Sequence, residues 1–236
     1  MKQNKKYYGD TRLNHFCASC GCTTETEDHV PSRCFLDKPH PQNLPVIPCC
    51  YKCNHDFSLD EEYVSCMIDC MKAGTASPNL IRREKTRKSL MHNPKLQERI
   101  SAQIRDFGGV LLYDIEKERF EKVFRKLAFG HLAYENDTLA WDSPYSIDIH
   151  LLSEMADSQR DDFFRPYTYR GELLPEVCSH GLEHVMLCYE DDGSYSYLSP
   201  WVTIQEGRYR YCVSLNGNIV KFVIAEFLAV EVNIEM

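Results

Sequence analysis

Residues 25–35 read ETEDHVPSRCF, with Asp28 and His29 side by side and Pro31 two residues on. Such a turn is either a surface loop or the place where a general base stands beside a metal ligand. Its surroundings decide between the two.

The chain has 236 residues, 43% of them hydrophobic and 26% charged, the mix of a globular protein with one large domain or two small ones. The basic start, MKQNKKYYGD, is not followed by an apolar stretch, so no signal peptide is expected. The most apolar run, NIVKFVIAEFLAVEVNI, is broken by Lys221, Glu226 and Glu231, which excludes a membrane span; a cytoplasmic protein is expected. Seven of the 12 cysteines fall before residue 54, and in a reducing compartment that clustering points to metal binding rather than disulfides.

The net charge of −8 hides a split. Residues 1–105 hold 16 Lys/Arg against 12 Asp/Glu, whereas residues 106–236 hold 11 against 23. A protein that neutralises phosphates needs local positive charge, which the first part supplies most densely in IRREKTRKSL (81–90). The acidic part is expected to face elsewhere, toward a protein partner or a second copy.

Three segments are expected: a Cys-rich domain over 1–75, a basic helical linker over 76–105 and an acidic α+β domain over 106–236. In the first, LDEEYVSCMIDCMKAG has helical periodicity and a glycine stop. In the third, GGVLLYDIE reads as a strand. KERFEKVFRKLAFGHLAYE reads as a helix with Phe120, Val123, Phe124, Leu127, Ala128, His131 and Leu132 on one face, His131 being a core histidine. ADSQRDDFF adds a short helix. EHVMLCYE, SYLSPWVTI, RYRYCVSL and NIVKFVIAEFLAV read as strands, with LNGN as a hairpin signal between the last two. The fold class is α+β: a small metal-stapled finger, then helices packed on one face of a C-terminal antiparallel sheet.

Cys17-Ala-Ser-Cys20 and Cys50-Tyr-Lys-Cys53 are two C-x2-C pairs. A two-residue spacer lets both thiolates of a knuckle reach one tetrahedral ion, and two knuckles complete a four-sulfur zinc site. Buried free thiols are the alternative, a poor fit for a segment of ~65 residues with few large aliphatic side chains, which needs a staple. Cys22 and Cys49 adjoin these ligands and compete with them; Cys66 and Cys70 suit core packing, and Cys178, Cys188 and Cys212 have no metal spacing.

Between the knuckles lie Asp28-His29 and Asn43-Leu44, and Asn54 follows the last cysteine. This order, C-x2-C, D-H-x-P, N-L, C-x2-C-N, resembles the HNH endonucleases, the ββα-metal finger nucleases, over roughly residues 17–58. The resemblance implies a DNA endonuclease using Mg²⁺ or Mn²⁺, with structural zinc on Cys17, Cys20, Cys50 and Cys53. It makes His29 the general base, Asp28 and Asn54 the ligands of the catalytic metal, and Asn43 the residue that ties down the loop and orients His29. Standalone members with an added domain suggest restriction or anti-phage defence. Two departures stand out. The Asn43–Asn54 interval is longer than usual, with VIPCC carrying the excess, so Cys49 and Cys50 compete for one zinc position and the x2 spacing favours Cys50. The basic residue often found four positions after the final Asn is Ser58 here, leaving Lys52 or His55 for the phosphate. The rival function is a zinc-finger module that binds nucleic acid or protein without cleaving.

Overall fold

A computed structural model describes residues 11, 13–170, 179–189 and 191–235; the basic start of the chain and Cys178 lie outside them. The elements in order are β1 (Thr26–His29), β2 (Val46–Cys49), α1 (Tyr51–Asp56), α2 (Ser58–Ala73), α3 (Glu84–His92), α4 (Pro94–Ala102), β3 (Ile104–Phe107), β4 (Val110–Tyr113) and α5 (Lys117–Asn136). There follow β5 (Tyr145–Leu151), α6 (Asp157–Phe164), β6 (Tyr167–Tyr169), α7 (His180–His184), β7 (Met186–Tyr189), β8 (Tyr195–Ser199), β9 (Val202–Gln205), β10 (Tyr209–Val213), β11 (Ile219–Ile224) and β12 (Leu228–Ile234). The class is α+β with antiparallel sheets. Among the described residues no helix is long and apolar enough to cross a membrane.

The chain divides into two compact units along other lines than the three expected segments. One is 1–55 with 124–236, the other 56–123. The boundary runs through α5, because this one continuous helix lends residues to both.

In the 56–123 unit, the glycine stop of α2 is Gly74, at φ 68°, whose N–H reaches the Cys70 and Met71 carbonyls. Tyr63, Met67, Leu90, Ile100 and Phe120 are buried. Of the basic run 81–90, Arg83 is spent internally: it pairs with Asp69 at 3.0 Å, both buried, and Thr86 donates to the same carboxylate oxygen at 2.6 Å. Arg82, Lys85 and Lys88 remain exposed. The helical stretch ends sooner than expected, since Ile104 opens a hairpin in which β3 pairs with β4.

The other unit is built on a five-stranded sheet of order β5-β12-β11-β10-β9, with a second sheet of order β6-β8-β7. Helices cover both faces of the larger sheet rather than one. Phe222 of β11 meets Phe124 of α5 edge-on at 5.6 Å, while the next residue, Val223, packs with Ala229 against Phe163 of α6 and the partly buried Trp201. Alternate side chains of a strand point to opposite faces, so burial on both sides explains why IVKFVI is an unbroken apolar run apart from Lys221. Lys221 lies opposite Glu231 in register, pairs with it at 3.4 Å and stands over the Phe163 ring.

NIVKFVIAEFLAV is two strands rather than one, turning at Ala225 and Glu226, whose φ values are 60° and 46°. SYLSPWVTI also divides, at Pro200, and its halves join different sheets.

His131 is fully buried on α5, shares a 2.9 Å hydrogen bond with the Tyr209 hydroxyl and stacks on Tyr211 with ring centroids 3.8 Å apart. Tyr211 in turn donates to the buried Glu135 carboxylate. Burial lowers the His131 pKa from 6.5 to about 3. The unfolded chain therefore takes up a proton near pH 6.5 that the folded chain refuses. Stability from this residue is complete above that pH and declines as pH falls toward 3, by about 1.4 kcal/mol per pH unit. Urea denaturation at stepwise lower pH is expected to show this decline in the wild type. His131→Phe, which loses the hydrogen bond, is expected to be less stable at pH 7.5 but to lose less on acidification, so the two curves converge.

Candidate metal centre and active site

Strands β1 and β2 pair antiparallel, Asp28 opposite Ile47 and His29 opposite Val46, and α1 follows β2 directly, giving a ββα finger. Two tight turns bring the cysteines in. At the first, Gly21 takes φ 73° and its N–H reaches the Cys17 carbonyl at 2.9 Å, while the Trp141 ring lies only 2.8 Å from where a Cβ on Gly21 would stand. At the second, the Cys53 N–H points at Cys50 Sγ, 3.4 Å away, and the Asn54 N–H reaches the Cys50 carbonyl. The Glu25 carboxylate accepts from the Tyr51 N–H at the start of α1.

The sulfurs of Cys17, Cys20, Cys50 and Cys53 all lie within 4.8 Å of one another, with Cys20 and Cys50 at 3.8 Å. A tetrahedron with metal–sulfur bonds of ~2.3 Å has edges of ~3.8 Å, so the group fits a structural zinc ion in size and in donor chemistry. Cys50 takes the fourth position. Cys49, on the strand just before it, is 1% exposed and its sulfur lies 4.0 Å from Cys17 Sγ. That thiol–thiol contact lowers the Cys17 pKa to about 4 against the opposing effect of burial, and raises the pKa of Cys49. Burial raises Cys50 and Cys53.

Asn54 lies one residue beyond the last of these cysteines. Its amide nitrogen donates to Thr26 Oγ1 and to the Glu27 carbonyl, each at 3.2 Å. Thr26 and Asp28 are two apart on β1 and share a face, so the Asn54 amide is pinned on the Asp28 side of the finger. Its carbonyl oxygen takes no hydrogen bond among the described residues.

Asp28 is nearly buried. Its Oδ1 accepts from the His29 N–H at 2.8 Å, and its Oδ2 lies 2.6 Å from Lys126 Nζ, an ion pair without hydrogen-bond alignment. His29 closes β1, half-buried, with Nδ1 shielded from solvent and without a hydrogen-bond partner among the described residues. Burial lowers its pKa, the Arg33 charge lowers it further, and Asp28 and the Pro45 carbonyl oppose them. A histidine in this setting is neutral near pH 7.

Asn43 is not part of this arrangement. It sits exposed in a turn before β2 and makes no hydrogen bond among the described residues. The tie expected of it is made by the backbone: the Val30 N–H reaches the Pro45 carbonyl at 3.0 Å and closes the loop. Lys52, His55 and Ser58 are all exposed, with His55 stacked parallel to Tyr51 at 6.0 Å.

Two residues that sequence reasoning passed over belong to the site. Arg33 is exposed and near enough to His29 to bias its charge. Lys126 reaches Asp28 from α5. Its signal was present: Lys126 shares a helix face with Gly130 and Ala133 at i+4 and i+7, so it falls on a buried stripe.

Replacing Cys50 or Cys53 by Ser is expected to abolish zinc retention and unfold the finger, whereas Cys49→Ser is expected to keep the metal. Native mass spectrometry of the purified variants, with thermal melting before and after a chelator, reads both effects.

Comparison of the chain with protein families, curated proteins and solved structures returns no match.

Proposed function

We propose that the chain is a divalent-metal-dependent DNA endonuclease of the ββα-metal type, stapled by zinc on Cys17, Cys20, Cys50 and Cys53. The observation that carries this reading is the placement of Asn54. The cysteine group and two hydrogen bonds bring its amide to the Asp28 face of β1, the strand that ends at the half-buried His29. A protein that needed only a zinc-stapled fold has no use for a carboxylate and a neutral imidazole side by side on β1 with an amide held against that strand from α1.

Asp28 and Asn54 offer one carboxylate and one amide oxygen, a donor set that suits Mg²⁺ or Mn²⁺. Among the described residues Asp28 Oδ2 has no aligned hydrogen bond and Asn54 Oδ1 has none, so both retain lone pairs for a cation. The ion would supply charge neutralisation to the phosphate as the leaving oxygen departs. His29 takes the proton of the attacking water. The water oxygen bonds to phosphorus, the bond to the 3′ oxygen breaks, and the products are a 5′-phosphate and a 3′-hydroxyl protonated from solvent. The half-buried, neutral imidazole is suited to that proton. Arg33, exposed beside His29, takes the phosphate contact that Ser58 leaves unfilled. The acidic remainder of the chain is unsuited to phosphate and is assigned to a protein partner or a second copy.

The rival reading, a binding module without cleavage, draws on one observation. The Asp28 charge is already met by Lys126, as it would be in a purely structural pair.

Plasmid nicking separates the two. Wild type is expected to nick with Mg²⁺ or Mn²⁺ and to stop when EDTA is added. His29→Ala is expected to lose about 10²-fold or more in rate while keeping its zinc and its melting temperature. Equal cutting by both proteins, or cutting by neither with any divalent metal, refutes the nuclease. Arg33→Ala is expected to weaken DNA binding uniformly across sequences, since a phosphate contact carries no base information; titration of labelled duplexes checks it.

A further inference from the structure

Lys126 is a feature of the site that the finger motif does not account for. It comes from α5, far along the chain, and not from β1, β2 or α1. Its side chain is 3% exposed, and its Nζ lies 2.6 Å from Asp28 Oδ2 and 3.5 Å from Ser32 Oγ. An ammonium so placed must be paired, because burying an uncompensated charge is strongly destabilising. Helix α5 cannot swing it away at low cost. A Cβ on Gly130, one turn further on, would stand 2.7 Å from Val30 Cγ2, and Ala133 and Tyr134 pack against the buried Ala18, Val30 and Ile47 of the finger. The helix backbone is thus seated against the finger, and Lys126 is held on the carboxylate that the proposed metal requires.

We propose that Lys126 is a built-in counter-cation of Asp28 that competes with the divalent ion for this carboxylate and sets how tightly the ion is held. The inference rests on the nuclease reading of Asp28. A second, doubly charged cation at Asp28 meets the ammonium's repulsion unless the lysine side chain withdraws, so either course weakens metal binding. While the pair stands, Lys126 holds the nearly buried carboxylate in place. Lys126 is therefore a positioning residue, acting on the metal through Asp28 and not on the substrate.

The test is Mn²⁺ affinity of the full-length, zinc-loaded protein, read by electron paramagnetic resonance titration without DNA. Lys126→Met keeps the length and apolar stem of the side chain and removes the charge. It is expected to bind Mn²⁺ roughly tenfold tighter or more than wild type, and to melt at a lower temperature without Mn²⁺ but gain more from Mn²⁺ than wild type gains. Lys126→Arg, which keeps the charge, is expected to bind as weakly as wild type. Asp28→Asn in the Lys126→Met background is expected to lose the tightened binding. Lys126→Gln, which retains a donor to Asp28, guards against misfolding of the methionine variant and must move in the same direction. A merely structural lysine would lower the melting temperature and leave Mn²⁺ affinity unchanged or weaker. That outcome, with Asp28-dependent binding intact in wild type, overturns the proposal and leaves the nuclease reading standing. Mn²⁺ binding that ignores Asp28 in every variant overturns both.

Discussion

Everything about the candidate site depends on the convergence of four sulfurs that are distant in sequence. The finger is two four-residue strands and a six-residue helix, too little to bury a core of its own. Its innermost cluster consists of Cys17, Cys49 and Cys50 with Cys53 against them. Cysteine is small, and these side chains exclude water without contributing the area that would hold two short strands together. An ion bridging them would supply what the apolar contacts do not. Because Asn54 follows Cys53 directly, the same cluster fixes where the amide falls. Its two hydrogen bonds to β1 then set the distance between helix and strand.

The second constraint is the seat of the finger on α5. Gly130 removes the side chain where Val30 comes closest, and the neighbouring small and aromatic residues close around it. The same helix presents Phe124 and His131 to the five-stranded sheet. A finger without a core thereby gains the support of a large one, which is why residues 1–55 and 124–236 form one unit. The seat also carries a charge. In the finger alone, Asp28 would be a partly solvated carboxylate; with α5 in place it is nearly buried and faces an ammonium. Near a pair of this kind, small rearrangements change electrostatic energies by amounts comparable to a protein's whole stability.

Parts of this were legible in the chain and parts were not, for identifiable reasons. C-x2-C spacing is a local geometric rule, so the two knuckles could be read, and the x2 count preferred Cys50. The helical face of α5, with His131 on it, followed from periodicity. The β11–β12 hairpin was hidden because its turn uses Ala225 and Glu226 at positive φ, positions where Gly or Asn would have announced it. Helices on both faces of the sheet were missed for a related reason: a run buried on two sides shows no alternation to say which face is covered. The role given to Asn43 by resemblance had no support in its own surroundings, and a backbone hydrogen bond closes that loop instead.

The sequence by itself determined the α+β class, the four cysteines and the charge split between its halves. These depend on spacing, periodicity and composition over short stretches. Tertiary structure alone decided that Cys49 meets Cys17 from beside the cluster, that Arg33 stands by His29, and that Lys126 meets Asp28. The Lys126–Asp28 contact joins residues far apart in the chain, and no local pattern encodes such a pairing. A buried charge chooses its partner only when packing has removed the water that would otherwise serve either side.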